Sequence, residues 1–146
     1  MPYTSQQELE DRFSTDMLIR LTDRGTPAAG IIDPDVVAEV LEDTDAMIDG
    51  YVAAKYALPM AEVPPLINAL AKDIVIYKLH TYDPDPKIKE DYKAAIKSLE
   101  RISAGSIRLP LAGAAAGSEA GQTGTSGARV TDRPRPFTAD SLKGLI

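Results

Sequence analysis

The chain has 146 residues, 44% of them hydrophobic, which is enough for one globular domain and too little for two of ordinary size. It has no cysteine and one histidine, which excludes a disulfide scaffold and a cysteine nucleophile and denies zinc or copper their usual ligand sets. The net charge of −6 is uneven: residues 1–110 carry 19 acidic and 12 basic side chains and residues 111–146 carry three and four, so the body is ill suited to holding phosphates.

The opening stretch, MPYTSQQELEDRF, is polar and acidic, unlike a signal or transit peptide, and no apolar run approaches the ~20 residues of a membrane span. A soluble protein made in the cytoplasm is expected, with no membrane partner. Thr4 and Ser5 precede a short helix to about Phe13, with Glu8 spaced as in a capping box. Ser14 stands where it can cap a second short helix, with Met17, Leu18 and Leu21 on one side. The loop GTPAAGIID then breaks the pattern. Asp33 followed by Pro34 predicts a helix start, and Val36, Val37, Val40, Leu41, Ile48, Tyr51 and Val52 recur at helical spacing to about Lys55. Gly50 inside that helix suggests a close contact, since glycine there costs about 1 kcal/mol relative to alanine.

Pro64 and Pro65 open the next helix, predicted over residues 64–80. It is apolar nearly all round, with Leu66, Ile67, Leu70, Ile74, Val75, Ile76 and Leu79. A helix without a wet face belongs at the centre of a domain or against a partner. The motif DPDP, residues 83–86, starts a last helix whose apolar seam is Ile88, Tyr92, Ile96, Leu99 and Ile102, ending near Gly105. Leu70, Ile74, Ile96 and Leu99 are the expected core. SIRLPL reads as one short extended segment, and no alternating run is long enough for a sheet. The expected fold is all-α: a small bundle of four to five helices over residues 1–110, two long helices packed on a central one, followed by a long extended C-terminal arm.

Sites for chemistry are scarce. Residues 22–33 have Asp at both ends but lack the alternating oxygens and final Glu of a calcium loop, which favours an interhelical loop held by caps. His80 has no marked catalytic partner and reads as a residue at a helix C-terminus. Asp73, in the most apolar helix, reads as a buried acid with a raised pKa, as a carboxylate paired with a lysine such as a neighbour's Lys72, or as one that points to water. The sequence marks no catalytic, cofactor or metal residues.

Charge is more informative. Lys89, Lys93, Lys97 and Arg101 recur every four residues along the last helix, and Asp35, Glu39, Glu42, Asp45 and Asp49 line the third. Such rows are solvated faces, or they join one subunit to the next in a closed ring. On the second reading Glu39, Glu42 and Asp49 approach Lys93, Lys97 or Arg101 of a neighbour.

Residues 111–127 are nearly all Ala, Gly, Ser and Thr and read as a linker, reaching ~55 Å fully extended and about 23 Å as a flexible coil. Residues 128–146 regain Arg, Pro, Phe and Leu. They read as a docking arm: Pro134 and Pro136 stiffen it, Arg133 and Arg135 suit carboxylates, Phe137 and Leu142 are apolar anchors, and Val130 is placed to add a strand to a partner's sheet edge. A disordered tail is the alternative.

The stretches IDGYVAAKYALP (48–59), VPPLI (63–67), KDIVIYKLH (72–80) and YKAAIKSLERISAG (92–105), together with RPRPFTADSLKGL, resemble the Mu-like phage head–tail adaptor, or connector, family. The likeness spans nearly the whole chain apart from the linker. It departs at GTPAAG, where many relatives are more acidic. It implies a non-enzymatic protein of the virion neck, forming a ring, by analogy twelve-fold, below the portal protein. Tail, tail-terminator or stopper proteins lie on the other side, and DNA passes through the lumen without specific binding. The alternatives are a small DNA-packaging or DNA-binding helical module using the Lys89–Arg101 row, and a small enzyme.

Overall fold

Three of the five helices begin at a proline, which fixes φ for the first turn and withholds an N–H that would have no partner there. The computed structural model describes residues 2–111, in the order α1 (Gln6–Phe13), α2 (Thr15–Thr22), α3 (Pro34–Val52), α4 (Pro65–Leu79) and α5 (Pro86–Ser103). Among these residues there is no strand, so the body is all-α, and SIRLPL is irregular rather than extended in a sheet. The rest of the linker and the arm lie outside the described residues.

Side chains complete most of the helix starts. Asp33 accepts from the N–H groups of Asp35 (3.0 Å) and Val36 (3.4 Å), and Asp85 accepts from that of Lys87 (3.3 Å). The capping box of α1 is present in both directions. The Glu8 N–H donates to Ser5 Oγ at 3.3 Å, and the Ser5 N–H donates to Glu8 Oε2 at 3.1 Å. Ser14 differs from expectation: it stands at the cap position of α2, but its side chain makes no capping bond. Its φ of 74° turns the chain between two helices, so backbone direction is its contribution.

α3 ends at Val52, three residues short of the predicted Lys55, and a turn through Tyr56 follows on the Val52 carbonyl. α5 ends in a Schellman arrangement. Gly105, at φ 81°, donates to Ile102, and Ser106 donates to Arg101 at 2.8 Å. The close contact expected at Gly50 is absent: a Cβ there would meet nothing within 4 Å, and the residue faces water.

α4 carries the core on two sides. Ile67, Leu70, Ala71 and Ile74 join Ile48 and Val52 of α3, and Ala95, Leu99 and Ile102 of α5. Val75, Ile76 and Leu79 join Leu9, Leu18, Leu21 and Val37 in a second cluster. The low amphipathicity of α4 is therefore explained within one chain, with α1, α2 and the first half of α3 covering its second flank. On α5 the seam is Ile88, Tyr92, Ala95, Leu99 and Ile102. Ile96, expected in the core, sits on the shoulder because alternate steps of four and three select Ala95.

Polar bonds tie the N-terminal segment to this frame. Tyr3 is buried in the first cluster. Its N–H donates to Asp45 at 3.1 Å, its hydroxyl donates to Asp49, and its carbonyl accepts from Asn68 at 2.9 Å. Burial, then the bond to Asp49, holds the phenol far above its ordinary range. Asn68 also donates to Glu8, and Lys72 pairs with Glu8 at 3.5 Å. Arg12 donates to Asp73 at 2.6 Å, so Asp73 pairs inside the chain with α1. Burial pushes the Asp73 carboxyl up, and Arg12 opposes that shift.

Three outcomes check this arrangement. Ile74→Ala should lose about 2–5 kcal/mol in urea unfolding, whereas Ile96→Ala should lose about 1 kcal/mol or less. Gly50→Ala should gain about 0.5–1 kcal/mol, because the site is helical, open and exposed. Glu8 is held below its ordinary value of 4.5, first by Asn68 and then by Thr4 and Ser5. Its contribution is therefore complete above pH 4.5 and fades as pH falls through the depressed value. The stability gap between the wild-type chain and Glu8→Gln should accordingly narrow on acidification from pH 7.

Candidate functional site

α3 has six acidic residues and no basic one. Its periodicity divides them by environment. Asp35, Glu39, Glu42 and Asp43 are exposed and make no ion pair among the described residues. Asp45 and Asp49 are half-buried and bind Tyr3. Burial raises the pKa of Asp45, the Tyr3 N–H lowers it, and the charges of Asp49 and Glu42 raise it further. The acidic row read from the sequence is thus two sets. One faces outward, and the other holds the start of the chain.

α5 shows the same division with opposite sign. Near its start Lys87 pairs with Asp91 at 2.7 Å and Lys89 pairs with Asp83. The bond to Asp91, and then that carboxylate's charge, raises the Lys87 pKa. Further along, Lys93, Lys97 and Arg101 are exposed and make no ion pair among the described residues. Of the proposed subunit contacts, Glu39, Glu42, Lys93, Lys97 and Arg101 are therefore exposed and without an ion pair among the described residues. Asp49 is already engaged by Tyr3.

The loop between α2 and α3 uses its carboxylates internally. Asp23 accepts from Gly30 at 2.7 Å and from Ala29 at 3.1 Å, and these bonds, Gly30's first, hold its pKa down. Thr22 Oγ1 accepts from the Asp33 N–H at 3.1 Å and donates to the Leu18 carbonyl at 2.8 Å. The loop is held in place by these caps, and Ile31 projects from it into solvent. His80 closes α4: its N–H donates to the Tyr77 carbonyl, and its Nδ1 donates to the Ile76 carbonyl at 2.6 Å. That contact with the terminal carbonyls agrees with its reading as a helix-end residue.

The arm residues Val130, Arg133, Arg135, Phe137 and Leu142 lie outside the described residues. Sequence reasoning passed over Tyr3. The available signal was an aromatic residue just ahead of a capping box, where a hydrophobic side chain often packs back onto the fold.

The family model described as Bacteriophage Mu, Gp36 matches residues 3–127. Over 109 residues the chain is 29% identical to the Mu-like prophage FluMu protein gp36 of Haemophilus influenzae, which covers 75% of this chain and 76% of that protein. It is 31% identical over 105 residues to Gene product J of Escherichia phage Mu, covering 72% of this chain and 74% of that one. The matched span contains all five helices and both charged faces, and the chain belongs to the bacteriophage Mu Gp36 family.

Proposed function

We propose that the chain is a structural head–tail adaptor of a tailed phage, without catalytic activity. It forms a ring below the portal protein that joins the DNA-filled head to the tail. One observation carries this reading. The outward acids of α3 and the outward bases of α5 sit on different helices, and neither set is paired within the described residues. A subunit with two such complementary faces suits head-to-tail repetition, which closes when the rotation between copies allows it. Membership of a phage family supports a role in the virion. The contact runs through Glu39 and Glu42 against Lys93, Lys97 or Arg101, without Asp49. The arm, residues 128–146, reaches the portal through Val130, Arg133, Arg135, Phe137 and Leu142, and many copies around a ring add avidity. Tail, terminator or stopper proteins meet the opposite face, and the acidic body lets DNA slide through the lumen without trapping it.

Lys93, Lys97 and Arg101 also favour a second reading, a small packaging module that binds duplex DNA. The two separate on salt dependence. Phosphate contacts give a steep fall in affinity with salt, whereas an adaptor gives almost no binding to lose.

Exposed ion pairs contribute about 0.2–1 kcal/mol each, so the contact requires several together. Lys93→Glu with Lys97→Glu should block incorporation into particles, and adding Glu39→Lys with Glu42→Lys should partly restore it, as counted by electron microscopy of a complemented phage. Failure of the second pair to rescue would leave both rows as solvated faces. Truncation after Gly127 should leave the helical body folded by circular dichroism yet yield filled heads without tails. Normal tailed particles from that chain would remove the arm from the portal contact.

A further inference from the structure

Ile31 and Tyr82 are the two most exposed large apolar side chains among the described residues, at 63% and 60%. Each is held in place. Gly30, at φ 69°, turns the chain just ahead of Ile31, and the Asp23 carboxylate holds the Ala29 and Gly30 N–H groups. Ile32 packs on the second apolar cluster, which leaves Ile31 outside. Tyr82 stands edge-on to the His80 ring at 5.4 Å, and His80 is fixed by its bond to the Ile76 carbonyl. The two grooves beside Tyr82 favour neither sign of charge. Asp83 is paired with Lys89, and Asp16 and Asp85 stand against Arg20 and Lys78. The exposed ring is what this surface offers a partner.

Both side chains lie at one end of the bundle. Val37 and Ile88, early in α3 and α5, share a cluster with the last turns of α4, and Val52 and Ile102, late in α3 and α5, share one with its first turns. α3 and α5 therefore run the same way, with α4 opposed to them. Ile31 stands three residues ahead of α3, and Tyr82 four ahead of α5. A rotation changes no direction by more than its own angle, and between neighbours in a ring of many copies that angle is small, about 30° for twelve. α5 of the next copy thus keeps nearly its own direction, and α3 lies beside it start to start. The opposite alignment needs a near-reversal, as in a two-fold dimer. The register agrees. Glu39 and Glu42 are the sixth and ninth residues of α3, and Lys93 and Lys97 the eighth and twelfth of α5. Pairing them in order offsets the helices by two to three residues, about 3–4.5 Å, which is less than one turn. The residues ahead of the two helices then come to nearly the same level.

We propose that Ile31 of one copy packs on Tyr82 of the next, so that each contact between copies has an apolar end and a charged middle. The proposal rests on the ring reading and adds the direction in which neighbours align. Burial of the two side chains supplies a water-excluding contact that exposed ion pairs lack, and it fixes the end of α5 from which the acids of α3 are counted.

The chain has no cysteine, so single thiols can be placed without background. In particles assembled from a mixture of Ile31→Cys chains and Tyr82→Cys chains, a short bis-maleimide should link two chains, read on a denaturing gel. Neither variant alone should give that product. Nor should Ile31→Cys mixed with Ser106→Cys, because the far end of α5 is about 27 Å from its start. Ile31→Asp should leave the urea midpoint of the full chain unchanged and lower its incorporation into particles by about tenfold or more. Charge-reversal rescue between Glu39 with Glu42 and Lys93 with Lys97 reports on the ring contact without either apolar residue. Rescue with no Ile31–Tyr82 product, or with a product at Ser106 instead, overturns this alignment and leaves the ring standing. Failure of both the rescue and the product overturns the ring as well. A product from one variant alone, which is two-fold pairing, also overturns the alignment, as does wild-type incorporation of Ile31→Asp.

Discussion

Ile67, Leu70, Ala71 and Ile74 need one apolar surface and Val75, Ile76 and Leu79 need another, and a single helix can meet both needs only from the middle of a bundle. The remaining elements are arranged around that constraint. α3 and α5 close one side of α4 and also touch each other. α1 and α2 pack together as a pair and, with the first half of α3, close the other side. Apolar burial of this kind is strong but non-directional, so it fixes which helices meet better than it fixes their register.

Register comes from a few directional bonds across helices. Arg12 to Asp73, Lys72 and Asn68 to Glu8, and Tyr3 to Asp45 and Asp49 link α1 and the segment before it to α4 and α3. All of these groups but Arg12 are at least partly buried, so their bonds replace water at a desolvation cost that the partner must offset. The consequence for the surface is a sorting of charge. Carboxylates that face inward are used within the chain, and those that face outward on α3 make no ion pair among the described residues, nor do the later bases of α5.

Much of the scaffold was legible because its signals are local. Asp-Pro pairs, the Ser5–Glu8 spacing and the unbroken apolarity of α4 each act within a few residues, and the helix starts at Pro34, Pro65 and Pro86 follow directly. What stayed hidden depends on contacts distant in sequence. Tyr3 meets residues more than forty positions away, and no spacing rule reveals which acids of α3 it occupies. Ile96 was misplaced for a subtler reason: an isoleucine outranks an alanine on hydrophobicity, yet the seam's alternate steps of four and three residues turn Ala95 inward. Gly50 looked like a packing residue and faces solvent. The charged faces were visible as rows, but only the fold separates the engaged members from the free ones.

The end of α5 bears on how the body would carry a mechanical load. After Gly105 reverses the chain, the Leu109 N–H donates to the Tyr56 hydroxyl at 2.9 Å and the Leu109 side chain is buried in the main core. Tension applied beyond Leu111 therefore reaches the molecule through a plug seated beside the end of α3, not through the exposed last turn of α5. The helix is shielded from being peeled residue by residue until Leu109 leaves the core and its bond to Tyr56 breaks.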